Sequence, residues 1–268
     1  MTAPDDQVPI RTLPIGLRFD DRPVARRIGL VVLATDHTSE IDFARVLSVS
    51  GVGVYVARIP YRNPTTPENL RLMQPRLTEG AGLILPDEPL DVVCYSCTSA
   101  SVVIGDDAVE AAIRAAKPGT PVVTPPAAAR LALAAFGARR ISVLTPYTVE
   151  TSTPMAAYFT GHGFDVAGLA CFGLEDDRVM ARVTPDAIVE AACAATAPDA
   201  EALFISCTAL RSAEIVPEIE ARIGRPVVTS NLATTWLCGR LVGETAPRPE
   251  LGRLFGLPVP DGIAGAAA

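Results

Sequence analysis

The tripeptide Ser-Cys-Thr occurs twice in this chain, each time directly after a short apolar run, and this repeat constrains the fold more than any other feature. The first copy is residues 96–98 and the second is residues 206–208. An apolar run that ends in Ser-Cys-Thr and passes into a helical pattern predicts a buried strand, a tight turn and a helix N-terminus. The sequence therefore predicts two cysteines, Cys97 and Cys207, on equivalent strand-to-helix turns.

Two further pairs of segments repeat in the same order as the cysteine turns. Residues 26–31 resemble residues 139–144, and residues 121–124 resemble residues 226–229; with the cysteine turns, the three offsets are 113, 105 and 110 residues. Three matches in one consistent order indicate a duplicated unit. Strand patterns also alternate with helical patterns along the chain, which is typical of parallel sheets covered by helices.

We therefore predict an α/β fold of two pseudo-symmetric lobes, each a mainly parallel sheet flanked by helices. The predicted division of the chain is an N-terminal arm (1–26), a first lobe (27–137), a second lobe (138–245) and a C-terminal tail (246–268). Ligands in such sheets bind beyond the carboxyl ends of the strands. If the two lobes face each other with these ends, the two cysteines lie on opposite walls of one cleft.

Composition narrows the function classes. A net charge of −7 argues against a nucleic-acid partner, because neutralising phosphates requires a basic surface. The sequence has neither a signal-peptide pattern nor a long uncharged apolar run, so we expect no membrane partner. Six cysteines, mostly in apolar segments, are typical of reduced thiols. These features predict a cytoplasmic protein.

Cofactor and metal chemistry find little support. The single lysine, Lys117, precedes Pro-Gly and is a poor Schiff-base residue for pyridoxal phosphate. Residues 51–53 (Gly-Val-Gly) lack the third glycine of a dinucleotide-binding turn. The two histidines do not make a common zinc site; His162 is expected in a surface turn, and His37 either in the pocket or in a solvated loop. We predict no cofactor and no metal.

Two opposed thiols suggest a particular chemistry. A thiolate is a base and a nucleophile, and a helix N-terminus stabilises its negative charge. The free amides there, with the hydroxyls of Thr98, Ser99 and Thr208, are predicted to bind a substrate carboxylate. Such a site suits either proton transfer across a carbon or thiolate addition to a double bond. Both reactions are compatible with Cys97 and Cys207 as the reacting residues.

The other cysteines are predicted to be ordinary apolar side chains. They are Cys94, Cys171, Cys193 and Cys238. Cys94 and Cys97 form a C-x-x-C pattern, but Cys94 falls inside the predicted strand. A redox pair would place its first cysteine at the start of the helix, so a dithiol function is not expected.

Residues 97–101 and 206–210 resemble the two cysteine motifs of the Asp/Glu racemase superfamily. Residues 31–38 and 144–147 resemble the branch that contains maleate cis-trans isomerases and arylmalonate decarboxylases. Within that branch, three longer strings resemble the ectoine-utilisation proteins. These strings are residues 33–40, 63–70 and 174–178.

The resemblance implies a cofactor-independent enzyme with two similar lobes, a site in the cleft and homo-oligomeric assembly. It implies that Cys97 is the nucleophile of the isomerases, that Cys207 is the second reacting group and that Tyr147 binds substrate. Arylmalonate decarboxylases keep only the second cysteine, so the presence of both favours isomerisation. The implied partner is a small carboxylate substrate.

Asp36 departs from the family pattern, because maleate isomerases carry an asparagine after the first strand to hold a carboxylate. One hypothesis is that Asp36 contacts a cationic or N–H-bearing group, as in a cyclic amidinium carboxylate related to ectoine. The alternative is that Asp36 caps the following helix, in competition with Thr38 and Ser39. Residues 176–178 (Asp-Asp-Arg) are expected to form a solvated acidic turn, with an approach to the cleft as the alternative.

The sequence therefore predicts a cofactor-independent isomerase, either a racemase or epimerase or a maleate-type cis-trans isomerase, acting on a small carboxylate in ectoine or hydroxyectoine catabolism. The alternatives are a decarboxylase of the same fold and a ligand-binding protein without turnover.

Overall fold

The computed structural model describes residues 10–47 and 51–260, so parts of the predicted arm and tail lie outside the described residues. The first lobe contains β1 (Arg26–Leu33), α1 (Ser39–Leu47), β2 (Val52–Ile59), α2 (Pro67–Arg71), α3 (Gln74–Leu83), β3 (Val92–Tyr95), α4 (Thr98–Ile104), α5 (Asp106–Arg114), β4 (Val122–Val123) and α6 (Pro125–Ala135). The second contains β5 (Arg140–Tyr147), α7 (Val149–Gly161), β6 (Asp165–Leu174), α8 (Asp177–Met180), α9 (Pro185–Ala195), β7 (Ala202–Ile205), α10 (Val216–Ile223), β8 (Val227–Thr229) and α11 (Ser230–Leu241).

The two lobes have the same sheet topology. The strand order is β2-β1-β3-β4 in the first sheet and β6-β5-β7-β8 in the second, and all pairings between these strands are parallel. The central strands β1 and β5 are buried at every position after their first residue, as expected for strands covered by helices on both faces. The prediction of two pseudo-symmetric α/β lobes is confirmed.

Equivalent strands also end in equivalent ways. The Thr124 side chain follows β4 and caps α6 by accepting from the Ala127 amide at 3.4 Å. The Thr229 side chain ends β8 and caps α11 by accepting from the Leu232 amide at 3.3 Å. A threonine at this position satisfies one of the free amides of the first helical turn.

The helical pattern around Leu70, Met73 and Leu77 forms two short helices, α2 and α3. Pro75 lies in the first turn of α3, where a missing amide proton costs no helical hydrogen bond. The three apolar side chains are each at most 1% exposed and pack in the core of the first lobe.

One hydrophobic cluster joins the two lobes. It extends from Ile28 on β1 to Ile141 on β5 and includes Trp236 on α11. Helix α11 is buried from Ser230 to Gly239 and packs against α6 and α1 of the first lobe. This arrangement places the start of α11 between the carboxyl ends of the two sheets.

Residues 10–25 form neither helix nor strand and expose several large apolar side chains, among them Ile10 and Phe19. Within the described ranges, no helix has the length and apolar character that crossing a membrane requires.

Candidate active site

The two cysteines line one cavity between the lobes. Cys97 follows β3 and Cys207 follows β7, so each thiol lies just beyond the carboxyl end of its strand. The cavity is lined by Leu33, Asp36, Tyr61, Thr65, Leu70, Cys97, Thr98, Ser99, Tyr147, Asp177, Met180, Cys207, Thr208 and Ala209. All seven residues that the sequence nominates for the site are therefore brought together.

The first cysteine turn has the predicted form. Cys97 is the residue before the first turn of α4 and has an extended backbone with φ −150°. Its carbonyl accepts from the Ser101 amide at 3.0 Å and from the Ser101 hydroxyl at 2.7 Å. The Cys97 side chain is held at the cavity wall with 4% of its surface exposed.

The second cysteine turn differs, and the prediction of a helix directly after Cys207 is wrong. Residues 208–212 form turns, a short 3₁₀ segment follows at Ala213–Ile215, and α10 begins only at Val216. Cys207 has φ +93°, a left-handed conformation that is strained for a residue with a side chain.

The Thr208 carbonyl has two side-chain donors, one from the first lobe and one from the second lobe itself. The Thr208 carbonyl accepts from the Thr38 hydroxyl and from the Asn231 side-chain amide, the latter at 3.0 Å. In a helix this carbonyl would accept from an amide four residues later. Here donors from α11 and from the loop before α1 occupy it, and the chain continues in turns instead of a helix.

The hydroxyls next to the cysteines also join the lobes. Thr98 donates to the Ser230 hydroxyl at 2.8 Å, and Thr208 donates to the Ser96 carbonyl at 3.2 Å. Ser99 has its hydroxyl oxygen 4.0 Å from the Cys97 sulfur. Both threonine protons are thus directed between the lobes, and carboxylate binding by Thr98, Ser99 and Thr208 stays a prediction.

Burial controls the ionisation of both thiols. It raises the pKa of Cys97 to about 11, although the Ala100 amide and the Ser99 hydroxyl lower it. It raises the pKa of Cys207 to about 12, against hydrogen bonds from Tyr147 and from the Ala209 amide, whose nitrogen is 3.3 Å from the sulfur. Stabilisation of a thiolate by the turn is thus outweighed by desolvation, and both thiols are protonated at neutral pH.

Each thiol has a tyrosine hydroxyl as a neighbour. Tyr147, the last residue of β5, lowers the pKa of the Cys207 thiol, and Tyr95, the last residue of β3, lowers that of Cys97. The Tyr95 hydroxyl donates to the Met73 sulfur at 3.6 Å. Burial raises the pKa of both tyrosines well above the usual range, so they remain neutral. A neutral tyrosine hydroxyl is a hydrogen-bond donor and brings no charge into the cavity.

Asp36 caps α1. Its Oδ1 accepts from the amides of Thr38 and Ser39 at 3.0 and 2.8 Å, and its Oδ2 accepts from the Ser39 hydroxyl at 2.7 Å. Burial raises the pKa of this carboxyl, while these hydrogen bonds lower it. Asp36 also lines the cavity, so the structure places the helix cap at the edge of the site.

The expectation of a solvated acidic turn at residues 176–178 is wrong for Asp177. Its side chain is 6% exposed and lines the cavity. Asp177 accepts from the Thr35 hydroxyl and, at 2.8 Å, from the Asn63 side-chain amide, both in the first lobe. These partners are more than 100 residues away in sequence, so a local acidic pattern gave no sign of the burial. Its neighbour Arg178 is exposed and pairs with Asp176.

The loop before α2 covers the cavity and contacts the second lobe. Thr65 donates its amide to the Glu175 carbonyl at 2.7 Å, and its own carbonyl accepts from the Thr151 hydroxyl at 2.8 Å. The Tyr61 hydroxyl is 2.6 Å from the Thr65 hydroxyl oxygen. Under this cover the cavity measures about 20 Å³, which is room for about one water molecule. The loop and the two cysteine turns therefore leave little free space between them.

The other cavity and the other reactive side chains lie apart from the two cysteine turns. A larger cavity of about 680 Å³ lies between α5, α6 and α11, and neither Cys97 nor Cys207 lines it. His37 is exposed, and His162 lies in an exposed turn. Within the described residues, no three His, Cys, Asp or Glu side chains are grouped as metal ligands. The remaining cysteines lie away from the cavity lining; they are Cys94, Cys171, Cys193 and Cys238.

Curated relatives with similar sequences are enzymes. The chain is 34% identical to the arylmalonate decarboxylase of Bordetella bronchiseptica over 140 residues, which are 51% of this chain and 58% of that enzyme. It is 27% identical to the maleate isomerase of Nocardia farcinica over 240 residues, which are 86% of this chain and 95% of that enzyme.

Solved structures agree with the fold. A ligand-bound arylmalonate decarboxylase variant, with one glycine replaced by cysteine and one cysteine by serine, matches with a TM-score of 0.79 and 29% identity over 87% of this chain and 99% of that chain. A cysteine-to-alanine variant of the maleate isomerase of Pseudomonas putida S16 with maleate matches with a TM-score of 0.79 and 21% identity over 87% of this chain and 98% of that chain.

A third structure is a cysteine-to-serine variant of the Nocardia farcinica maleate cis-trans isomerase with a covalently bound succinylcysteine intermediate. It matches with a TM-score of 0.78 and 24% identity over 86% of this chain and 98% of that chain. The sequence profile of arylmalonate decarboxylases covers residues 79–255, which include both cysteine turns. The chain therefore belongs to the arylmalonate decarboxylase family.

Proposed function

We propose that this protein is a cofactor-independent isomerase that acts on a small carboxylate, with Cys97 and Cys207 as the reacting pair. The observation that carries the proposal is that both thiols line one enclosed cavity. A decarboxylase needs one group that protonates one face of a carbanion. An enzyme that moves a proton between two faces of a carbon needs a group on each side, and this cavity supplies two.

For a racemase or epimerase, one thiolate removes the proton from the carbon next to the substrate carboxylate and becomes a thiol. The electron pair of the broken C–H bond is delocalised into the carboxylate. The opposite thiol then donates its proton to the other face of that carbon and becomes the thiolate. One proton is removed and one is delivered, so the two sulfurs exchange roles and no cofactor is consumed.

For a cis-trans isomerase, the Cys97 thiolate forms a C–S bond to one carbon of the double bond, while the Cys207 thiol protonates the other carbon. The former double bond is now a single bond and rotates. The Cys207 thiolate then removes the proton, the double bond re-forms and the C–S bond breaks. The succinylcysteine bound in the Nocardia farcinica isomerase variant is an adduct of this class.

The finer substrate assignment is a cyclic amidinium carboxylate related to ectoine. It is supported by the resemblance of residues 63–70 and 174–178 to ectoine-utilisation proteins. These two segments contact each other over the cavity, through Asn63 and Asp177 among others. We propose that they select the substrate and that the cysteines carry out the reaction.

Decarboxylation is the second candidate, because the family profile and the 34% identical relative are arylmalonate decarboxylases. In that reaction a carboxylate leaves as CO₂ and one thiol protonates the resulting carbanion. Such an enzyme needs one of the two cysteines and tolerates loss of the other.

The test is incubation in heavy water with ectoine derivatives, amino dicarboxylates, maleate and phenylmalonate. The proteins are wild type, Cys97→Ser, Cys207→Ser and, as a matched control, Cys193→Ser, whose thiol is exposed and outside the cavity. In one substrate class we expect the wild type and the control to incorporate deuterium at carbon or to convert the cis to the trans isomer, and both cavity variants to lose this activity.

Release of CO₂ from phenylmalonate that survives in Cys97→Ser and disappears in Cys207→Ser would assign the decarboxylase. Ligand-induced thermal stabilisation without deuterium incorporation, cis-trans conversion or CO₂ release would assign a binding protein and contradict the proposal.

A further inference from the structure

The charged side chains of the cavity are all acidic. Its lining contains the carboxyls of Asp36 and Asp177, and within the part of the chain that the structure describes no lysine, arginine or histidine lines it. Both aspartates are 6% exposed. A substrate with two carboxylates would bring two more negative charges into this enclosed space without a cation to balance them.

The hydrogen bonds of the two aspartates distinguish their roles. An ionised carboxylate has about four lone-pair sites for donors. Asp36 uses three of them for the helix cap, on the amides of Thr38 and Ser39 and on the Ser39 hydroxyl. Arg58 also attracts Asp36 electrostatically. Most acceptor sites of Asp36 are therefore used by hydrogen bonds within the protein.

Asp177 has more free capacity. It accepts one hydrogen bond on each oxygen, from Asn63 and from Thr35, and no ion pair of Asp177 is found among the described residues. The adjacent Arg178 pairs with Asp176 instead and has 62% of its side chain exposed. A buried carboxylate without a cation is costly, and a ligand that supplies the missing cation or N–H group recovers that cost.

We infer that Asp177 binds a cationic or N–H-bearing group of the substrate and thereby selects zwitterionic monocarboxylates over dicarboxylates. This inference rests on the proposed function in one respect, namely that the cavity of Cys97 and Cys207 is the substrate site. The contact to a cationic or N–H-bearing group, which is one hypothesis for Asp36 from the sequence, is thereby assigned to Asp177. The substrate carboxylate then faces the cysteine turns, and the opposite end of the molecule faces Asp177.

The position of Asp177 also affects the reacting thiol. The negative charge of Asp177 is one of the causes that raise the pKa of Cys97. A substrate ammonium or amidinium next to Asp177 offsets that charge and favours the thiolate, whereas a second carboxylate opposes it. The same contact thus accounts for selective binding and for activation of Cys97 only when the correct substrate is bound.

The test compares maleate with cis-γ-aminocrotonate, which has an ammoniomethyl group in place of one carboxylate. Dissociation constants are measured calorimetrically for the wild type and for Asp177→Asn, Asp177→Glu and Asp36→Asn. Asn is nearly isosteric with Asp and keeps partners for Asn63 and Thr35. Asp36→Asn is the matched control, because it removes the same charge from the same lining.

We expect the wild type to bind the zwitterion at least about 100-fold more tightly than maleate. Asp177→Asn should reduce this ratio to less than about tenfold, Asp177→Glu should retain the preference for the zwitterion, and Asp36→Asn should leave the ratio within a few-fold of wild type. Equal ratios in the wild type and Asp177→Asn, or an equal loss in both Asn variants, would overturn the inference.

A second readout follows Cys97 directly. The pH profile of Cys97 alkylation by iodoacetamide, followed on the Cys97 peptide by mass spectrometry, should move to lower pH in Asp177→Asn and remain in place in Asp36→Asn. An unmoved profile in Asp177→Asn would count against the inference. Both measurements are independent of turnover, so absence of deuterium exchange in the wild type would remove the proposed reaction without deciding the binding result.

Discussion

The two cysteine turns begin alike and continue differently. Both follow the third strand of their sheet in chain order, both carry Ser-Cys-Thr, and both sulfurs line the same cavity. Cys97 then starts a helix from an extended backbone, whereas Cys207 has φ +93° and is followed by turns. Duplication thus accounts for where the sulfurs lie, and the backbone around them differs where the contacts are not duplicated.

Helix α11 contacts the two turns in different ways. Its first residue, Ser230, contacts the hydroxyl of Thr98, and its second, Asn231, contacts the carbonyl of Thr208. A hydroxyl contact leaves the backbone free to form a helix. A carbonyl contact removes the acceptor that a helix would need. Helix α11 therefore contacts a side chain at the first turn and, together with Thr38, a backbone carbonyl at the second.

The largest expected effect concerns the sulfurs themselves. Cys97→Ser and Cys207→Ser should each lower kcat by about 10³-fold or more, because a serine hydroxyl is a far weaker acid and nucleophile than a thiol. Steady-state kinetics on the substrate found in the heavy-water screen check this. If one variant retains near-wild-type kcat, the two turns are chemically unequal and the isomerase assignment is wrong.

The pH dependence of catalysis sharpens the same comparison. Burial raises the pKa of Cys97 to about 11 and that of Cys207 to about 12, so the thiolate population of either rises about tenfold per pH unit through the neutral range. We expect kcat/KM to increase from pH 6 to pH 9. A profile that falls over this range would show that the reactive form is not a thiolate generated from a buried thiol.

The contact at Thr208 should contribute more stability than the contact at Thr98. Asn231 also donates to the Asp42 carboxylate at 2.7 Å, so Asn231→Ala leaves a buried carboxylate and the Thr208 carbonyl each without one donor. We expect a loss of about 3 kcal/mol in the free energy of unfolding. Ser230→Ala removes one neutral hydroxyl contact and should cost about 1 kcal/mol.

The loss in Asn231→Ala should also depend on pH. Burial raises the pKa of Asp42 to about 6, so the carboxyl is mostly protonated at pH 5 and ionised at pH 8. Asn231 stabilises the ionised form, and its removal should therefore cost more at pH 8 than at pH 5. Urea unfolding at both pH values measures this, and an equal loss at the two values would contradict it.

The smallest effect tests the backbone at Cys207. Glycine adopts positive φ without strain. The free energy of unfolding of Cys207→Gly should therefore be about 1 kcal/mol higher than that of Cys207→Ala. At Cys97, Cys97→Gly should not be more stable than Cys97→Ala, because φ is −150° and alanine adopts that conformation without strain. Urea denaturation of the four variants gives both differences. Equal behaviour at the two positions would show that the turns do not differ as described.

Local patterns predicted much of this molecule. The apolar strand runs, the order of the repeated segments and the Ser-Cys-Thr turns were sufficient for two parallel-sheet lobes, because each depends on residues adjacent in sequence. The two cysteines were also identified from their position after equivalent strands. The end of a strand can be located from the local sequence alone, without information on the neighbouring strands.

Long-range contacts account for what the sequence did not predict. The turn after Cys207 depends on Thr38 and Asn231, and the burial of Asp177 depends on Thr35 and Asn63. Asp36 and Asp177 look alike as isolated acidic residues in loops. Only their partners show that one is occupied by a helix cap and that the other has free acceptor sites in the cavity.

The central claim is that two sulfurs from equivalent strands contact the same small molecule. Treatment with dibromoacetone, which reacts with two thiols in turn, tests it in a Cys171→Ser/Cys193→Ser background that removes the half-buried and the exposed thiol. Peptide mass spectrometry should find one reagent bridging Cys97 and Cys207, and substrate should protect both from reaction. Separate single adducts on the two cysteines, with no bridged peptide and no protection, would contradict the account.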